Sequence, residues 1–211
     1  MVLEIVKYGD PVLRTKGKPA DPKDESLRKL AEDMIDTMYA ARGLGLAAQQ
    51  VGLPLQLTVL DVAQVQEDRP SAMFINGKPV NLDDWTPLIL LNPRLELGEE
   101  KDFASEGCLS FPDINGDVPR AKLLTIRAQL LGGEEVIFQA SGLLARALQH
   151  EVDHLQGVLF TDRMNSATKA SLAGRMKRLQ KEGMAEARPV SENPRAAKNQ
   201  SAGKRTTKKQ D

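Results

Sequence analysis

An α+β fold is predicted for this chain, on three observations. Apolar residues recur at helical spacing in well-separated segments, strand-like runs cluster between the first two of these, and glycine or asparagine pairs typical of tight hairpins punctuate the runs. At 211 residues the chain suits one core of ordinary size, a single catalytic domain with an appendage. Charged residues make up 27%, apolar ones 41%, and the formal net charge is +0, which is the balance of a globular soluble protein and excludes a disordered or fibrous one.

Residues 10–23 hold Pro11, Gly17, Pro19 and Pro22 among polar residues and read as an extended surface loop. Asp24 opens a helix whose stripe is Leu27, Leu30, Ala31, Met34, Ile35, Met38 and Tyr39. The glycines of RGLGLAAQQVG end it, and the run LQLTVL at 55–60 has the length and β-branching of a buried strand. Residues 63–87 read as an insertion rather than a domain: Asn76-Gly77 is a type I′ hairpin signal, with Pro70, Pro79 and Pro87 around it. Strands return at LILLNP, KLLTIRAQLL and EEVIFQA, the last two joined by a turn at Gly132-Gly133.

A second helix follows. Ser141 is its expected cap, Leu144, Ala147, Leu148 and Leu155 its apolar stripe, and Gly157 its stop. A third helix is expected over 166–187, with Leu172, Met176, Leu179 and Met184 on one side and basic residues opposite. Residues 188–211 contain almost nothing able to bury apolar area, so a disordered basic tail is expected there. The excess of Lys and Arg after Met164 leaves a compensating acidic excess in the rest of the chain, so the two parts should have different partners. Glu4 and Lys7 interrupt the apolar N-terminus, so no signal peptide is expected, and no run approaches a membrane span. With one cysteine and no export signal, a reducing cytoplasm is the expected compartment.

The chemistry centres on HEVDH at 150–154. Residues four apart lie one turn above each other on a helix, so His150 and His154 can offer two imidazole nitrogens to one metal ion. Glu151, about 100° round the helix from His150, can reach a water on that ion without being a ligand, which suits a base. A solvated charged face is the competing reading. It is disfavoured because the chain has only these two histidines and Leu148, Val152 and Leu155 surround them. A catalytic site takes three protein ligands and leaves one position open. Nothing after Leu155 resembles a third histidine ligand, which makes Cys108, in SEGCLSFP, the better candidate, a small buried hydrophobe being its alternative role. GLGLAAQQVG lacks the endings of a phosphate loop. Gly43 and Gly45 instead suit close approach by an extended ligand and Gln50 offers an amide donor for developing negative charge, although a plain helix-to-strand turn would read the same way.

In their order and residues, GLGLAAQQVG, EGCLSFP and QHEVDHLQG resemble the three motifs of the peptide deformylases of bacteria and organelles, and the likeness runs from about Ile5 past Thr161. The resemblance implies short antiparallel sheets around the HEVDH helix, with the first helix outside and a basic C-terminal helix projecting away. It implies hydrolysis of the formyl group from the N-terminal formyl-methionine of nascent polypeptides. A divalent ion on Cys108, His150 and His154 would activate water, Glu151 would carry the proton, and Gln50 with the Leu109 backbone N–H would steady the oxyanion. Leu44, Gly45 and Gly107 would contact the peptide, and Leu143, Arg146, Ala147 and His150 would border the methionine pocket, with the Arg146 stem as wall and its head in water. Arg120 resembles a basic residue at the pocket rim. Fe2+ is the implied ion, with Zn2+, Ni2+ or Co2+ as substitutes. Because the substrate is a nascent chain, the basic helix and tail are expected to contact ribosomal RNA. Two other functions fit parts of the pattern: a zinc endopeptidase, and a non-catalytic ribosome-binding module on the same scaffold.

Overall fold

The computed structural model describes residues 1–187, and the tail at 188–211 lies outside them. Helix α1 (Ser26–Ala40) begins where the Asp24 carboxylate accepts from Ser26 N, and it buries Leu27, Leu30, Ala31, Met34 and Met38. This face packs on β1 (Gly45–Ala47) and β2 (Leu57–Leu60). The further strands are β3 (Ser71–Ile75), β4 (Lys78–Val80), β5 (Leu88–Leu97), β6 (Lys101–Cys108), β7 (Phe111–Ala121), β8 (Leu123–Gln129) and β9 (Glu135–Ser141). One seven-stranded sheet has the order β1-β2-β5-β8-β9-β3-β4, and β6 with β7 forms a separate pair. Every strand pairing in both sheets is antiparallel.

Both predicted hairpins form. Asn76 and Gly77 take φ of 52° and 73°, as a type I′ turn requires, and Gly132 and Gly133 both take φ of 100°. Residues 63–87 are tied into the fold rather than hung on it. β3 pairs with β9, and Met73 and Leu82 enter the main core.

Helix α2 (Gly142–Leu155) touches strands of both sheets. Its Leu144, Ala145 and Leu148 are fully buried with Leu60, Leu90, Ile126, Phe138 and Ala140. Each large side chain so buried stabilises the fold by roughly 1.5–3 kcal/mol. Ser141 stands at the start of α2 but makes no side-chain cap bond. The free N–H groups are satisfied instead from 63–87: Leu143 N donates to Pro70 O at 3.2 Å and Leu144 N to Ser71 Oγ at 3.0 Å. Gly157, at φ 73°, ends the helix as expected.

Sequence periodicity missed the β6–β7 pair. Its strands, KDFASEGC and FPDINGDVPRA, mix charge, glycine and proline because much of their surface is exposed. It also missed the short α3 (Phe160–Arg163). Helix α4 (Ser166–Glu186) was expected to project away, yet it lies along β7 with Leu172, Met176 and Leu179 in a core containing Phe111 and Phe160. Met184 is exposed, unlike the other residues of its predicted stripe.

Candidate metal centre

Cys108 ends β6, while His150 and His154 stand one turn apart on α2. One ligand atom from each falls within 4.8 Å of the other two, and Cys108 Sγ lies 3.2 Å from His154 Nε2. Ligand atoms on a tetrahedral ion with bonds near 2.1–2.3 Å stand about 3.5 Å apart, so the set has the right dimensions. Its electrostatics agree. Burial works against charge on His150, but hydrogen bonds to Cys108 and Glu106 outweigh it and push its pKa up to about 10. Positive charge is therefore favoured among these three groups, and a divalent cation held by them would take the place of that proton. Burial, then the charges of His150, Arg120 and Arg14, holds His154 well below the usual imidazole range, so its ring keeps a free lone pair.

The partner of His150 Nδ1 is Glu106 Oε2, at 3.0 Å, which aims the other ring nitrogen at the ligand cluster. Glu106 also takes Arg120 Nε and Nη2 at 2.9 and 3.0 Å and Arg146 Nη1 at 2.7 Å. Burial alone would raise its pKa. The hydrogen bonds from His150 and Arg120 reverse that and bring it to about 2. No role was read for Glu106 from the sequence, although the period of two in β6 puts it on the same face as Cys108.

This network holds Arg120 and Arg146 away from the places expected for them. Arg120 does not reach the cleft: it is 4% exposed, and its remaining guanidinium nitrogen is 2.5 Å from Asp153. Arg146 does line the cleft, but its head does not reach water, because Glu106, Val118 O at 2.9 Å and Asp102 at 2.6 Å hold it inside. Countercharges from β6 make burial affordable for both arginines.

A cleft of about 510 Å³ opens onto Cys108 and His150, and Leu44, Gly45, Gly107, Leu109, Leu143, Arg146, Ala147 and Glu151 also line it. Ala47 N donates to Gln50 Oε1 at 2.9 Å, which turns the Gln50 amide nitrogen toward Cys108 Sγ, 3.4 Å away. Glu151 is buried, and its Oε2 has no protein partner among the described residues. Burial is the main cause that raises its pKa, to about 7, with His150 opposing and Glu106 adding to the rise. A Cβ at Gly45 would stand 2.5 Å from Glu151 Oε1, so only glycine leaves room for this carboxylate beside the cleft wall.

The model of the polypeptide deformylase family matches residues 2–170. The chain belongs to the polypeptide deformylase family. The peptide deformylase of Opitutus terrae is 46% identical over 183 residues, covering 86% of this chain and 94% of that protein. That of Methylacidiphilum infernorum is 42% identical over 181 residues, with coverage of 86% and 94%. Among solved structures, deformylase 1B of Arabidopsis thaliana in complex with an inhibitor superposes with a TM-score of 0.75 at 37% identity, covering 92% of this chain and 99% of that one. The Thermus thermophilus deformylase gives 0.70 at 34%, with coverage of 86% and 99%. Deformylase membership makes the chain a hydrolase of a metalloenzyme family. No described helix is long and apolar enough to cross a membrane.

Proposed function

We propose that this chain hydrolyses the formyl group from formyl-methionine at the start of nascent polypeptides, using Cys108, His150 and His154 to hold one divalent ion. The observation that carries the reading is that Cys108, His150 and the buried Glu151 meet at one cleft, with His154 grouped against the first two. When bound, the ion supplies Lewis acidity toward the formyl oxygen and makes its water acidic enough to react near neutral pH. Glu151 takes the proton of the attacking water and delivers it to the leaving amine. Gln50 Nε2 and the Leu109 N–H donate to the oxygen that becomes negative, with Gln50 held in orientation by Ala47. Leu44, Gly45 and Gly107 align the peptide backbone, while Leu143, Ala147 and the stem of Arg146 enclose the methionine side chain.

Ferrous iron is the ion we assign, because a thiolate with two imidazoles accepts it as well as zinc and the family resemblance favours it; nickel or cobalt can replace it. The deciding experiment is formate release from formyl-Met-Ala-Ser by protein purified without oxygen and loaded with ferrous iron. Wild type alone should release formate, not Cys108→Ala or Glu151→Ala. A folded, metallated but inactive wild type overturns the assignment.

The cytoplasm is the compartment proposed. A contact with the ribosome is proposed through the exposed Arg175, Lys177, Arg178 and Lys181 of α4 together with the basic tail. Truncation after Ala187 should weaken co-sedimentation with ribosomes, and the loss should be larger at low salt. Unchanged sedimentation rejects the contact.

A further inference from the structure

We propose that Arg42 and Arg69 select formylated peptides carrying an acidic side chain just after the methionine; this rests on the deformylase reading above. Both arginines line the cleft, and among the described residues neither guanidinium has a hydrogen bond or ion pair. The other charges there are differently placed. Arg146 is occupied by Glu106 and Asp102, Glu106 is shared among His150, Arg120 and Arg146, and Glu151 is buried. Asp113 is exposed at the lip on β7 and pairs with neither arginine. Two uncommitted cations therefore face a cavity that must accept an extended peptide.

Their backbones are fixed. Arg42 sits at φ 56°, with its N–H on Tyr39 O at 3.0 Å, and the next residue donates from Gly43 N to Met38 O at 2.8 Å. Gln64, from the 63–87 segment, donates to Gly43 O at 3.2 Å and braces the same turn. Arg69 N bonds Val65 O at 2.9 Å, and the following Pro70 O accepts from Leu143 N, at the methionine pocket. Gln66 brackets Ser71 with two bonds, at 2.7 and 3.0 Å. Rigid attachment on both sides leaves only side-chain order to be lost on binding. A peptide with its methionine against Leu143 and Ala147, running along Leu44 and Gly45, extends its next residues past this rim. A carboxylate at the second or third position then meets donors whose planar forks suit it. The 63–87 segment thus has a functional reading: it delivers Arg69 to the cleft and supports Arg42.

The test compares kcat/KM for formyl-Met-Glu-Ser against formyl-Met-Gln-Ser, and for formyl-Met-Ala-Glu against formyl-Met-Ala-Gln, all as C-terminal amides so that no terminal carboxylate competes. Iron-loaded wild type should favour the acidic member of at least one pair by roughly three- to fivefold, as two solvent-exposed ion pairs provide. The preference should vanish at about 1 M salt, where charges are screened beyond ~3 Å. Ratios are taken within each enzyme, so a general loss of activity cancels. Arg42→Gln with Arg69→Gln should bring the ratio to about one, and Arg69→Glu should turn the preference toward a lysine peptide. A wild-type ratio near one, or a ratio that survives in the double variant, overturns the proposal while leaving deformylation intact. Absence of formate from every peptide overturns the deformylase reading itself.

Discussion

At the scale of single residues, the site depends on two glutamates driven in opposite directions. Glu151 is lifted to about 7 chiefly by burial, and in its proposed role as a base it works only when ionised. The acid limb of log(kcat/KM) should therefore fall with unit slope below the Glu151 pKa, which a divalent ion on the neighbouring histidines lowers from the metal-free value. Glu151→Gln should cost roughly 10²- to 10⁴-fold and remove that limb from the residual activity, with metal content unchanged. A limb that persists in the variant belongs to another group. Glu106 has its folded pKa depressed to about 2 against a burial penalty. Its stabilisation is present above the unfolded value near 4.5 and is lost as pH falls from there toward 2. Glu106→Gln strips a shared countercharge from Arg120 and Arg146 and should cost about 3–5 kcal/mol. Thermal melting between pH 6 and 2 should show a lower midpoint for the variant at the upper end and a shallower loss on acidification. Parallel melting curves would remove Glu106 from that role.

Among the elements, α4 makes the sharpest case. Gly183 is buried where a Cβ would overlap Tyr8 O and stand 2.9 Å from Lys7 O, whereas nothing lies within 4 Å of the position at Gly174. Helix propensity favours alanine over glycine by about 1 kcal/mol at both places. Overlap with backbone carbonyls outweighs that gain only at Gly183, since backbone cannot step aside as a flexible side chain can. Gly174→Ala should raise the melting temperature by about 2–4 °C, and Gly183→Ala should lower it by at least as much. Equal signs would mean that α4 is not docked on residues 7 and 8. The start of α2 shows a second dependence between elements, because its free N–H groups are answered by Pro70 and Ser71. The helix that carries both histidines is thereby positioned by the 63–87 segment.

Across the whole molecule, the proposed ion joins the two sheets: Cys108 comes from the β6–β7 pair, and the histidines come from α2, packed on the large sheet. An ion that binds only the folded arrangement adds stability in proportion to the logarithm of its concentration over Kd, about 2.7 kcal/mol at a hundredfold excess. Anaerobic treatment with a chelator should lower the melting temperature by roughly 5–10 °C and abolish formate release together, and ferrous iron or nickel should restore both. Loss of activity with no change in melting would place the ion outside the folded ligand set.

Local pattern was enough to predict most elements and to single out the three residues that the fold brings together as a possible metal-holding group. The stripe of α1, the turns at Asn76-Gly77 and Gly132-Gly133, and the four-residue spacing of His150 and His154 each follow from geometry that a short segment carries within itself. Cys108 was legible as the sole cysteine, and the three motifs together pointed to the family. Tertiary structure alone decided where charges find their partners. Arg120 and Arg146 read as exposed pocket residues until Glu106, Asp153 and Asp102, 14 to 44 residues away, are brought against them. Arg42 and Arg69 carry the same kind of charge and stay uncommitted, because the fold brings no carboxylate to either among the described residues. Periodicity fixes which side chains share a face, but the burial of a charge is settled by countercharges that only the packing of distant segments supplies.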